Sequence, residues 1–298
     1  MIPEPDLRVS IAIVGYNGAR FLAACLDSLL AMDMPATEYE LLYIDNASAD
    51  ESVAVVARHA ARFPHHRIVR NAENLGFAAA VNQAGELARA RVLAVLNQDT
   101  VVDRGWISAI LRAFDDPSVA VVGSRVAYED GSGLYAAGLE VLYGGICVVH
   151  EGDRRVDAVS GCAIAFRLAD FRRLGGLEAS LFMYGEDLDF CRRARSAGHR
   201  VAYAAAARVT HRASRRDRAG TRTYLRHMLR NRTLVCLRNY RWKRLYLALD
   251  GLVLFPLTAT TEFLRSRDKA RAVRWIVEAR IDSLRAGRAI LHTGRGRA

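Results

Sequence analysis

The chain of 298 residues lacks several features that would settle its class at once. Its five cysteines, Cys25, Cys147, Cys162, Cys191 and Cys236, form no C-x-x-C pair. That argues against a disulfide framework or a thiolate metal site and fits reduced, buried thiols. No G-x-G-x-x-G follows the first apolar run, where Gly15-Tyr16-Asn17-Gly18 stands instead, so a dinucleotide-dependent oxidoreductase is disfavoured. The longest apolar stretch, residues 245–264, is interrupted by Asp250, Pro256 and Glu262 and makes a poor membrane-spanning helix. The opening residues carry Glu4, Asp6 and two prolines where a signal peptide needs basic and apolar regions, so a cytoplasmic location is expected. Neither an internal repeat nor a low-complexity tract is evident. Acidic residues are scarce in one region only. Residues 208–298 hold 23 Lys+Arg against 6 Asp+Glu, a net +17, whereas residues 1–207 hold 20 against 26, a net −6.

What is present is a folding pattern. Hydrophobic residues make up 51% of the chain, ample for a large core. The apolar runs at 8–14, 40–44, 67–70, 92–96 and 119–123 predict strands. Helical spacing predicts helices over 21–30, 50–63, 77–89 and 106–114 between them. Such alternation predicts an α/β sandwich with a mainly parallel sheet, whose ligands sit beyond the carboxyl ends of the strands. Asn17, Asp45 and Asp99 all fall at such ends. Residues 124–167 read as irregular and β-rich, and 200–203 as a late strand. Residues 223–240 predict an Arg-rich helix, and residues 294–298 a disordered end. Residues 1–212 are therefore expected to form the catalytic domain and 213–298 a basic helical extension. Its apolar stretch suits either a helix lying in a membrane interface or a layer packed on the catalytic domain.

Two acidic elements carry the chemistry. Gly185-Glu186-Asp187-Leu188-Asp189 opens a predicted helix, where carboxylates are favoured by the positive end of the helix by about 0.3–1 kcal/mol each. A carboxylate there is also placed to act as a general base. Asn97-Gln98-Asp99, far upstream, ends an apolar strand. Together they offer one carboxylate for a cation and another for a proton. Asp189 lies a turn before Arg192 and Arg193, so ion pairing is its expected role. Asp45 can also form an Asx turn over Asn46-Ala47-Ser48. Cys162 has no paired histidine to make it a nucleophile.

In series, IAIVGYN (11–17), IDNASADES (44–52), NAENLGFAAAVNQ (71–83), LNQDT (96–100), VSGCAIAFR (159–167), LFMYGEDLDF (181–190) and Val209-Thr210-His211 resemble family 2 glycosyltransferases of the GT-A fold, in the bacterial rhamnosyltransferase-like branch. The resemblance covers residues 8–212 and implies an inverting transferase that uses a nucleotide-diphospho-sugar and Mg²⁺ or Mn²⁺. It implies Asp187 as the base beside Glu186. It assigns the nucleotide-sugar pocket to Tyr16, Asn17, Asp45, Asn74, Gly76, Phe77, Asn82 and Asn97, and the metal to Asp99 and His211. Gly15 stands where the family usually carries Thr, so only backbone contact is expected there. Gln98 stands where relatives often have Pro, read as a departure of little chemical weight. The branch points to dTDP-rhamnose as donor, with UDP-hexose or UDP-galactofuranose as alternatives. The acceptor is expected to be a glycan or polyprenyl-linked glycan on an anionic membrane surface, in cell-surface polysaccharide synthesis. The enzyme would then be peripheral to the inner face of the plasma membrane. The rival reading, a basic nucleic-acid- or membrane-binding protein with an inactive GT-A domain, takes the +17 tail as its starting point. The apolar stretch within that tail favours membrane or protein contact over nucleic acid. Oligomeric state is left open, a dimer among the options.

Overall fold

Strand β1 (Val9–Gly15) is buried at all seven positions, and so is β2 (Tyr39–Asp45), as expected of parallel strands covered on both faces. The computed structural model describes residues 7–141, 147–151, 156–212, 221–239, 246, 249–265 and 268–293. β1 pairs in parallel with β2 on one side and with β4 (Val92–Asn97) on the other. The registers Gly15↔Asp45 and Val14↔Asn97 bring the three carboxyl ends level. β3 (His66–Arg70) adds a fourth parallel strand beside β2.

Beyond β4 the sheet becomes mixed. β10 (Ala163–Arg167) inserts antiparallel between β4 and β6 (Val119–Tyr128). β11 (Arg200–His211) then runs parallel to β6, and β5 (Thr100–Val102) closes that edge antiparallel. The order is β3-β2-β1-β4-β10-β6-β11-β5, with β7 (Leu134–Ala136) paired off β6. A separate hairpin joins β8 (Gly138–Val141) to β9 (Cys147–His150). The region read as irregular thus holds the far part of β6 and all of β7 to β10. Its residues 142–146 and 152–155 lie outside the described residues. The late strand, expected over four residues, runs for 12, because a register shift between Ala204 and Arg208 lets it follow β6 past a bulge.

Side-chain alternation along the strands splits the core in two. Ile11 and Ile13 face a layer built from α1 (Ala19–Leu30), α2 (Ser52–Ala60) and α4 (Trp106–Ala113). Ala12 and Val14 face α3 (Phe77–Leu87), α5 (Leu168–Arg173) and α6 (Glu186–Ser196). The result is the three-layer α/β/α sandwich that the strand–helix alternation predicts.

Leu234 and Val235 of α7 (Arg222–Asn239) belong to that second core cluster, so part of the basic extension packs on the sheet's helical layer. The apolar stretch 245–264 is divided between a π-helical turn (Asp250–Leu254) and α8 (Phe255–Arg265), followed by α9 (Lys269–Thr293). Among the described residues, no helix is long and apolar enough to cross a membrane. Residues 294–298, read as disordered, lie outside the described residues. Asp250, which made a spanning helix improbable, is fully buried and organises these helices. Its carboxylate accepts hydrogen bonds from Arg232 on α7 at 2.7 Å and Arg280 on α9 at 2.6 Å.

Removing one partner of such a buried pair leaves uncompensated charge, a loss of about 3–5 kcal/mol. Asp250→Ala should therefore lower unfolding stability by about that amount. Urea denaturation followed by circular dichroism measures it, and an unchanged midpoint would show that the two guanidinium groups find solvent instead.

Candidate active site

The level ends of β1, β2 and β4 supply the first wall. Gly15 is glycine because a Cβ there would sit 2.1 Å from the Tyr43 hydroxyl, so the space a larger residue would take is filled from β2. The turn that follows is tied on both sides. Tyr16 donates its backbone N–H to Gln98 Oε1 at 3.0 Å, and Gln98 Nε2 donates back to the Tyr16 carbonyl at 2.8 Å. Gly18 leaves room for that amide, which a Cβ would meet at 2.1 Å. On the other side, Asn17 takes a left-handed φ of 48°. Its Oδ1 accepts the Ala49 N–H at 2.8 Å and its own N–H donates to Ser48 Oγ at 3.0 Å. Gln98, read in the sequence as a departure of little chemical weight, is thus the link between the first turn and the Asn97-Gln98-Asp99 segment.

Asp45 is buried, and its Oδ2 accepts the Ser48 N–H three residues on at 3.1 Å, so the carboxylate closes the loop over Asn46-Ala47-Ser48. Neither Asp45 nor Asn17 lines the main cavity, whereas Tyr16 and Asn46 beside them do. Asn74 accepts the Gly76 N–H at 2.9 Å, and Gly76 adopts φ 87°, where a Cβ would strike Phe182 at 2.5 Å. Asn74, Gly76, Phe77 and Asn97 all reach the cavity wall. Asn82 points elsewhere. Its amide bonds both ways to the Leu177 backbone, at 2.8 and 2.7 Å, and joins α3 to the segment after α5.

Asp99 and His211 are brought together by the antiparallel pairing of β5 with β11, which sets Thr100 opposite His211. His211 Nε2 lies 3.4 Å from Asp99 Oδ2, and the imidazole is buried and stacked on Tyr135 at 4.5 Å between centroids. A carboxylate and an imidazole at that spacing can hold a divalent cation that draws its remaining ligands from phosphate oxygens and water. Among the described residues, no group of three or more His, Cys, Asp or Glu converges in this way. The donor set therefore fits a cation shared with a diphosphate better than a closed structural site.

The second acidic element opens α6. The approach is contorted, since Phe182 and Tyr184 hold φ values of 65° and 69° before Gly185 at 92°. Non-glycine residues persist there only when their surroundings hold them. The holder is Asn231 on α7, whose buried amide lies 2.7, 2.9 and 2.8 Å from the carbonyls of Leu181, Met183 and Tyr184. Sequence reading missed Asn231, because one asparagine in an Arg-rich helix carries no local signal. Asp189 is ion-paired, with Arg193 at 2.8 Å.

The two remaining carboxyls behave differently. Burial first, and then the neighbouring Asp187, push the Glu186 carboxyl well above the usual range, and its Oε2 has no hydrogen-bond partner among the described residues. Burial also raises Asp187, but Gly161 and Leu188 oppose it by donating backbone N–H groups at 2.8 and 2.7 Å. Burial therefore weighs against charge more heavily on Glu186 than on Asp187, whose backbone donors offset part of it. A cavity of about 710 Å³ joins Asp187 to Asp99, and its far wall includes Tyr224, His227 and Met228 of α7. That size suits a small-molecule site.

Residues 10–173 match the family model described as glycosyl transferase family 2, and residues 92–279 match glycosyl transferase family group 2. The N-acetylglucosaminyl-diphospho-decaprenol L-rhamnosyltransferase of Mycobacterium tuberculosis is 28% identical over 236 residues, 67% of this chain and 75% of its own. Of the other curated relatives, the chain spans between 15% and 42% of their length. Among solved structures, the mannosyltransferase PcManGT from Pyrobaculum calidifontis, in complex with GDP-Man and Mn²⁺, superposes with a TM-score of 0.60 at 18% identity. The match covers 99% of this chain and 81% of that one. S. aureus TarS 1–349 in complex with UDP gives 0.60 at 17% identity, over 97% and 92%. These likenesses show the GT-A fold with a helical C-terminal part.

Glu186 ordinarily titrates near 4.5 and is raised in the fold, so above that pH the folded chain holds a proton that the unfolded chain has lost. Stability contributed by the neutral acid is complete below pH 4.5 and declines as pH rises through the folded value. Glu186→Gln removes this loss. Its melting temperature should gain on the parent's between pH 4.5 and pH 8, by about 2–4 °C for each kcal/mol regained. A difference independent of pH would show that Glu186 is ionised in the folded protein.

Proposed function

The chain belongs to glycosyl transferase family 2, and from that footing we propose that it moves a sugar, with inversion, from a nucleotide-diphospho-sugar to a hydroxyl of a lipid-linked glycan. Rhamnose from dTDP-rhamnose is the preferred donor, in keeping with the rhamnosyltransferase relative. The observation that carries the reading is one cavity lined by Asp99 at one side, with buried His211 paired behind it, and by Asp187 at the other.

In this reading Tyr16 and Asn97 flank the nucleotide, with Asn74, Gly76 and Phe77 on the facing wall. Asp45, Asn17 and Asn82 lie off the cavity wall and contribute through the loops and helix they anchor, a departure from the pocket contacts that the resemblance implies. Asp99 and His211 would hold Mg²⁺ or Mn²⁺, which when bound neutralises charge on the departing diphosphate. Asp187 accepts the proton of the acceptor hydroxyl. The hydroxyl oxygen forms its bond to the anomeric carbon from the face opposite the diphosphate, whose oxygen leaves with the electron pair. A raised carboxylate suits this role, since a base works best when its pKa approaches the working pH, and such help contributes about 10²–10⁴-fold. Glu186, whose charge burial disfavours more, keeps its proton in this reading and so sets no second negative charge beside Asp187. The division into a catalytic domain, 1–212, and an extension, 213–298, is retained as a functional one, with α7 of the extension lining the cavity.

The extension is also proposed to hold the enzyme on anionic membrane. Leu252, Leu257 and Leu264 are 81%, 61% and 69% exposed, apolar groups set in a segment of net charge +17. Each basic residue near such a surface contributes about 1 kcal/mol. High salt or carbonate should release the protein from membranes, and retention in carbonate would point to deeper insertion.

With dTDP-rhamnose and Mn²⁺, Asp187→Asn should keep donor affinity within about twofold while turnover drops by about 10²-fold or more. Asp99→Ala should instead lose the Mn²⁺-dependent part of donor binding in calorimetry. Normal turnover in Asp187→Asn would remove the base assignment. No donor hydrolysis across a panel of nucleotide sugars would sink the transferase reading for this chain.

A further inference from the structure

A second cavity, of about 430 Å³, lies between α7 and α9 and serves none of the roles above. Arg226 and Arg230 of α7 line it with Arg285 and Asp282 of α9, and Ser180 forms part of the floor. Three guanidinium groups face one carboxylate, an excess of two positive charges in a cleft. Arg226 is paired with Asp282 at 2.7 Å, and Arg230 reaches the Ser180 carbonyl at 3.1 Å. Arg285 is exposed, with no ion pair or hydrogen bond among the described residues. Burial, and after it the opposed effects of Asp282 and Arg226, leave Arg230 below its ordinary value. Positive charge is crowded here beyond what the cleft compensates.

The cleft also adjoins the candidate active site. Phe182 and His227 line both cavities, their rings stacked 5.1 Å apart. Burial, then Arg230 and Arg226, lower His227 to about 4, so the ring is neutral at pH 7, and its buried Nδ1 has no partner among the described residues. On α9, exposed Ile281 lies one turn before Arg285, with exposed Leu284 beside it, so apolar surface adjoins the charged rim.

We infer that this cleft binds the phosphate or diphosphate of the acceptor, a phosphorylated lipid whose sugar enters the main cavity past Phe182. The argument is chemical. Arginines present planar forks that match phosphate oxygens, and a partly desolvated cluster of them binds such groups strongly. A phosphate on an apolar chain would meet the guanidinium groups with its head and the Ile281–Leu284 surface with its tail. The inference rests on the transferase reading only for calling the ligand an acceptor; the anion site stands on the cleft itself.

The test uses the full chain without divalent metal, in EDTA, so that the Asp99–His211 pair does not recruit the probe through a cation. Calorimetry with inorganic pyrophosphate and with geranyl diphosphate should show binding of both, the second at least as tight as the first. Arg285→Gln should weaken both by about fivefold, and Asp282→Asn, which frees Arg226, should tighten both by about as much. Opposite signs from two substitutions in the same cleft are not produced by partial unfolding. Equal affinities in the parent and both variants would overturn the site, as would binding that requires Mn²⁺ and Asp99. Pyrophosphate binding with geranyl diphosphate excluded would overturn the acceptor assignment. Failure of the transferase reading is a separate result, an intact charge-dependent cleft in a chain that transfers no sugar.

Discussion

The level pairing of β1 with β2 and β4 is the constraint from which the candidate site follows. Parallel strands in this register end together, so Gly15, Asp45 and Asn97 arrive at one edge with their turns facing the same space. A shift by one residue would send each strand's core side chains to the opposite layer, and the two buried clusters forbid it. Everything placed on that edge inherits its position from burial. The Gln98 amide then joins the first and third turns, and the loop after Asp45 braces Asn17.

A second constraint comes from the other end of the chain. The loop 181–184 carries two non-glycine residues in left-handed conformation, and α6 with its acid pair starts directly after it. The Asn231 amide on α7 draws the carbonyls of Leu181, Met183 and Tyr184 around one nitrogen, while Leu234 and Val235 bury the helix against α6. The basic extension therefore shapes the cavity wall beside Asp187. Asp250 repeats the theme at larger scale, one buried carboxylate drawing arginines from α7 and α9 together. In a region of excess positive charge, the few acids decide how the helices meet.

Electrostatics also separates two neighbours that the sequence presents as equals. Glu186 and Asp187 are adjacent carboxyls in the first turn of one helix, where the helix end favours both charges. Burial then outweighs that small benefit. Backbone donors reach Asp187 but not Glu186 Oε2, so burial disfavours the charge of Glu186 more than that of Asp187.

Strand and helix order, the three-layer architecture and the motif residues were legible in the chain itself. Apolar runs and helical spacing are local consequences of burial, and the site motifs sit directly at strand ends. The Asp189 ion pair followed from helical spacing alone. Tertiary structure alone decided the contacts that depend on distant segments. These include the insertion of β10 between β4 and β6 and the extension of β11 past a bulge, whereas the pairing of Asp99 with His211 was expected from the family resemblance. They also include the weight of Gln98 and the clamp supplied by Asn231. In each case the partners lie far apart in sequence, and neither carries a local pattern that names the other. The same holds for the interrupted stretch 245–264. Its composition left an interfacial helix and a packed layer open, and the buried ion pairs of Asp250 pack that part of the extension against α7 and α9 while leaving Leu252, Leu257 and Leu264 outward. Local sequence sets which elements form; which surfaces they share is set by long-range burial and the pairing of buried charge.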